Sequence, residues 1–210
     1  MKKYSRIIVF FIITILALTA CSPSVDEGEI KDALGELIPK SEELNVIYFG
    51  EGLPLASDRE LVEAFYNTFD SDVEMINYHP VSPDCGYTSE DDIRAATLEV
   101  FTEDYAEFLF DRAFVGISTT ISEGTDSAVT QSAVYAMYLM QNGTLTVRLN
   151  LASDSIPLGR TYDIDTARII KVRNNYVIVS VLSELDGEKE EIELRVVMTE
   201  NGWRLDSPTY

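Results

Sequence analysis

The hydrophobic period of this chain changes once, from about 3.6 residues in its first part to 2 after residue 132, and that single switch restricts the fold to helices followed by strands. Ile30, Leu34, Leu37 and Ile38 recur at helical spacing until Pro39, which predicts the end of a first helix. Ser41 then caps a second, with Leu44, Ile47 and Tyr48 on one face and Gly50 and Gly52 closing it before Pro54. Ser57-Asp58-Arg59-Glu60 reads as a capping box ahead of the apolar stripe Leu61, Val62, Phe65, Tyr66 and Phe69. Ser89 opens another helix, with Glu90, Asp91 and Asp92 where the helix dipole favours them and Ile93, Ala96, Val100 and Phe101 facing inward. Thr102 recaps the chain for a helix from Glu103 to Phe114.

Met75 to Tyr78 suits an edge strand, because Pro80 and Pro83 forbid a regular element after it. Ser118 to Ser132, rich in Ser, Thr and Gly, reads as a loop or irregular edge. Beyond it, Ala133–Met140 and Thr144–Leu151 flank Gln141-Asn142-Gly143, a hairpin signal. Tyr162–Val172 and Tyr176–Leu185 flank Asn174-Asn175, and Asp186-Gly187 turns the chain into Glu190–Thr199. In that last run Ile192, Leu194, Val196 and Met198 point one way and charged residues the other. Asn201-Gly202 then returns Trp203 and Leu205 on an antiparallel partner. The expected class is α+β: N-terminal helices packed on one face of a curved, mostly antiparallel sheet of about five or six strands.

The first 21 residues carry a different message. Lys2, Lys3 and Arg6 precede an apolar run from Ile7 to Leu18, and Leu18-Thr19-Ala20-Cys21 follows. A basic start, a short apolar core and a small residue before the cut form an export signal, and about 20 apolar residues would be needed to span a bilayer. This segment resembles a bacterial lipoprotein signal, which implies cleavage before Cys21 and lipid on its thiol. Residues 1–20 are then a signal peptide, 21–29 a lipidated tether, and 30–210 a single α+β domain with helices over 30–117 and strands over 133–210. The implied address is extracytoplasmic and membrane-anchored, at a Gram-positive cell surface.

The leader holds three of the 16 basic residues and none of the 36 acidic ones, so the chain from Cys21 onward carries 13 against 36, a net of −23. A polyanion repels phosphate backbones, which excludes nucleic acid as a partner, and a basic envelope protein is the natural complement. With Cys21 acylated, Cys85 stands alone and no intramolecular disulfide can form.

Chemistry has few parts to work with. His79, the one histidine, lies six residues before Cys85 and could serve it as a base, although a buried inert thiol fits the composition better. Asp163-Ile164-Asp165, Asp70-Ser71-Asp72 and Glu123-Gly124-Thr125-Asp126 offer oxygen ligands but no complete calcium loop, and read as solvated acidic turns. No catalytic residue, metal ligand or cofactor is assigned. Tyr135, Tyr138, Tyr162, Tyr176 and Trp203 supply aromatic area that a curved sheet could present to a ligand or partner, or bury in its core.

The helical block Ser89–Phe110 with its Phe101-Thr102-Glu103 break, the strands from Arg168 and the terminal Asn201-Gly202-Trp203-Arg204-Leu205 resemble two families. One is the small secreted proteins with an NTF2-like or cystatin-like body; the other, more faintly, is the IseA family of inhibitors of cell-wall DL-endopeptidases. The resemblance implies a lipid-anchored binding protein at the envelope, an inhibitor or regulator of cell-wall hydrolases. A small-ligand-binding NTF2-like domain is the alternative, and a Cys-dependent enzyme a third.

Overall fold

The computed structural model describes residues 25–68, 77–122, 130–149 and 156–210. The leader, Cys21 and the acidic segments Asp70-Ser71-Asp72 and Glu123-Gly124-Thr125-Asp126 lie outside the described residues. The class is α+β. Among the described residues, four α-helices, α1 (Glu27–Phe49), α2 (Arg59–Tyr66), α3 (Glu90–Val100) and α4 (Glu103–Phe110), accompany strands that pair antiparallel in separate sheets.

One helix replaces the two expected around Pro39. Helix α1 runs 23 residues straight through that proline, capped by Asp26, whose side chain accepts from the Gly28 N–H. A proline inside a helix costs about 3 kcal/mol, but each large apolar side chain buried past it returns about 1.5–3 kcal/mol, and Leu44, Ile47, Tyr48 and Phe49 are all buried there. Ser41 caps nothing. Its hydroxyl donates to the Ile38 carbonyl at 2.7 Å inside the core. The helix begins at Glu27, earlier than the expected Ile30, and Val25 already packs against the core.

The cap of α2 is corrected by one residue: Asp58 Oδ1, not Ser57, accepts from the N–H groups of Glu60 and Leu61 at 2.8 and 3.0 Å. Asp58→Ala should therefore cost about 1 kcal/mol in a denaturant melt while Ser57→Ala changes little. Helix α3 starts at Ser89 as expected, and there the structure adds a capping box that was not expected, Ser89 answering the Asp92 N–H and Asp92 answering the Ser89 N–H. Hydrogen bonds from the Thr88 backbone and hydroxyl, and from Ser89, hold the Asp92 carboxyl below its ordinary range. A depressed folded pKa adds stability above the unfolded value and loses it as pH falls through the folded one. Stability should fall on acidification below about pH 4, and Asp92→Asn should flatten that limb of a pH-dependent melting series. After α4 the backbone widens into one π-turn over Asp111–Val115 instead of continuing the helix regularly to Phe114.

The expected meander of five or six strands is divided. Strands β1 (Tyr78–Pro80), β4 (Tyr138–Gln141) and β5 (Thr144–Arg148) form a three-stranded sheet of order β1-β5-β4. Strands β6 (Thr161–Val172), β7 (Tyr176–Leu185), β8 (Glu188–Thr199) and β9 (Gly202–Leu205) form a four-stranded one in chain order. The division follows from β1, which takes the free edge of β5, pairing Tyr78 with Arg148 and Pro80 with Thr146. The stretch expected as a loop contains β2 (Ile117–Ser122) and β3 (Thr130–Tyr135), paired as a ribbon; its Thr and Ile residues favour strand despite the loop-like Ser and Gly content. The turns Asn142-Gly143 and Asp186-Gly187 have φ of 50° and 80°, and 53° and 83°, the double positive φ that such tight hairpins demand.

Helix α1 crosses the four-stranded sheet and packs on β6 and β9. Lys31 Nζ donates to the Asp165 carbonyl of β6 at 2.7 Å, and Trp203 Nε1 of β9 donates to Glu29 at 2.7 Å. Beneath it, Leu34, Ile93, Val177, Val179, Leu194 and Val196 are buried in one core. In β6 the ladder shifts register between Asp163 and Arg168 and again between Ile169 and Lys171, and such bulges bend a strand.

Candidate functional site

Sequence-proposed residues separate once the chain is folded. His79 donates and accepts away from Cys85: its Nδ1 meets the Tyr66 hydroxyl at 3.2 Å and its Nε2 the Ala56 carbonyl at 3.0 Å. The Cys85 thiol donates to the Tyr87 carbonyl at 3.5 Å and is half-buried. Neither group is aimed at the other. Asp163 and Asp165 lie exposed on β6, and among the described residues no group of three or more His, Cys, Asp or Glu is placed to hold a metal ion. No helix among them is long and apolar enough to cross a membrane.

The five aromatics do not converge. Tyr138 is fully buried; its hydroxyl donates to the Ile47 carbonyl at 2.9 Å, accepts from the Leu53 N–H at 3.0 Å, and is pushed up in pKa by burial. Its role is to tie the end of α1 to β4. Tyr135 is half-buried under the Arg148 guanidinium, 3.5 Å above its ring, and Tyr176 is half-buried under Arg195 at 4.4 Å. Burial also raises the pKa of Tyr162, whose hydroxyl is enclosed without a hydrogen-bond partner. Trp203 lines a small cleft of about 360 Å³ with Leu37, Lys40 and Glu99.

A larger concavity lies beside that cleft. An open groove of about 800 Å³ runs between the α3–α4 junction and the β8–β9 hairpin. Phe101 ends α3 in extended conformation and bridges to Leu205, while Thr102 donates its N–H to the Leu205 carbonyl at 2.9 Å, which fixes one wall against β9. The floor is apolar. Leu98 is 38% exposed and Met198 40%, so two large apolar residues of the lining keep much of their surface in solvent. Met198 was expected in the core with Leu194 and Val196, but the groove opens over that end of β8.

Charge around the groove is uneven. Arg195 is neutralised by Asp206 at 2.9 Å, and Asp206 also accepts from the Thr102 hydroxyl. Arg204 spends its Nε on the Leu98 carbonyl at 2.9 Å and a terminal nitrogen on the Trp203 carbonyl at 2.8 Å. Glu103, Asp104 and Glu200 line the groove, are exposed, and make no ion pair among the described residues. The groove therefore offers unpaired carboxylates over apolar side chains. These residues are not recognisable as a group in the sequence because they come from two distant segments, 98–104 and 198–200. The one local signal, Glu103-Asp104, is equally well explained by the first turn of α4. Compared with protein-family models and with curated proteins, the chain matches none.

Proposed function

We propose that this chain is a lipid-anchored, extracytoplasmic binding protein whose acidic body engages a basic macromolecular partner at the cell envelope, a cell-wall hydrolase being the partner class of choice. The observation that carries this reading is the surplus of 23 negative charges beyond the leader, coupled to an open groove in which Glu103, Asp104 and Glu200 make no ion pair among the described residues. Charge complementarity raises association rates and selects partners, so such a body fits the cleft of a basic enzyme. The filled interior between α1 and the four-stranded sheet supports a surface partner over a small ligand held in that core.

Anchoring rests on Cys21. Two or three acyl chains at about 0.8 kcal/mol per buried methylene hold a protein stably where one chain does not. Cys21→Ala should abolish lipid labelling and move the protein from membranes to the soluble fraction; labelling that persists contradicts it. Inhibition is tested with purified cell wall digested by an envelope extract. Adding the chain should slow the digestion and raised salt should restore it, whereas digestion indifferent to the chain would speak against hydrolase control.

A further inference from the structure

We infer that the groove between the α3–α4 junction and the β8–β9 hairpin is the docking surface for an extended, lysine- or arginine-bearing segment of a partner protein. The inference deepens the partner-binding reading above and rests on it. Its first support is shape: the groove is open and its apolar lining includes Leu98, Val197 and Met198, of which Leu98 and Met198 are well exposed. Exposed apolar side chains in a concavity suit the aliphatic stems of lysine and arginine, which bury their methylenes and keep the charge at the rim.

Its second support is charge at that rim. Arg195 is paired with Asp206, and Arg204, held by backbone carbonyls, keeps its charge, so the three carboxylates of Glu103, Asp104 and Glu200 outweigh one uncompensated guanidinium and the local field is negative. An incoming ammonium or guanidinium would find partners without breaking an existing ion pair. The same field disfavours other occupants. Anionic lipid and nucleic acid are repelled, and a second copy of the chain from Cys21 onward would bring another net charge of −23 to the contact.

The test uses the full chain in a neutral detergent and a fluorescent, capped hexapeptide of alternating lysine and leucine, titrated by anisotropy. A triple variant Glu103→Gln, Asp104→Asn, Glu200→Gln is compared with a control triple Asp163→Asn, Asp186→Asn, Glu188→Gln, which removes equal charge elsewhere. Thermal melts check that both fold. The groove triple should weaken binding about tenfold, the control triple less than about twofold, and glutamate in place of lysine should abolish binding. Leu98→Ser should weaken it as well. Equal weakening by both triples, equal binding of the glutamate peptide, or no binding of the lysine peptide would overturn the inference. So would self-association of the chain that the groove triple removes. Should the groove triple still capture a basic envelope partner at full strength, the groove assignment falls while the partner reading stands.

Discussion

Leu194→Ala should lower the stability of the domain by about 3 kcal/mol, read as a fall in Tm of roughly 6–12 °C. Leu194 is 0% exposed in the middle of β8, opposite Val179 of β7 and packed in the core with the buried side chains of α1 and α3. Alanine there removes transfer energy and leaves a cavity that a paired central strand cannot collapse into. Met198→Ala, four residues on in the same strand, should change stability by less than about 0.5 kcal/mol, because Met198 is 40% exposed. Equal effects from the two substitutions would mean that β8 is not packed as described.

Truncation after Leu205 should be at least as damaging, about 4 kcal/mol or a fall in Tm of roughly 10 °C. Residues 206–210 form a strap that returns over α1. Thr209 is buried, donating to the Ser41 hydroxyl at 2.9 Å and accepting from the Asn45 amide at 3.0 Å, and the Tyr210 ring packs tilted against Phe49 with centroids 4.6 Å apart. Removing the strap strands the Asn45 amide in the core at a cost of about 1–3 kcal/mol and uncovers Phe49. Asp206 is lost as well, which frees Arg195 and the Thr102 hydroxyl. Thr209→Val isolates the polar part: it keeps shape and should cost about 1–2 kcal/mol. A truncated chain that melts like the whole one would show that the strap contributes nothing.

These two predictions mark where the residues speak plainly and where they do not. The period-2 run through Leu194 and Val196 makes β8 and its neighbours legible, since alternation, Asp186-Gly187 and Asn201-Gly202 all agree. The caps at Ser89 and Thr102 are equally readable, because each hydroxyl meets an N–H three residues on. Pro39 misleads because its local cost is outweighed by burial on both sides of it, which no local rule contains. The division of the strands escapes for a similar reason: β1 pairs with β5 from nearly 70 residues away, a long-range choice that alternation cannot encode.

The candidate site was still less legible. Tyr138 and Trp203 attract attention as large aromatics, yet one ties elements together inside the core and the other bonds to Glu29 of α1. Leu98, Glu103 and Glu200 look like ordinary helix and turn residues until the α3–α4 junction is brought beside the β8–β9 hairpin. What composition did foretell is the sign of the field.

Affinity capture of the full chain from its own envelope, at low and at raised salt and beside the Glu103, Asp104 and Glu200 triple variant, tests the binding reading most directly. A protein of net positive charge should be held at low salt, released as salt rises, and held more weakly by the variant. Capture that ignores salt and the variant alike, or the absence of any basic protein among those retained, would contradict it.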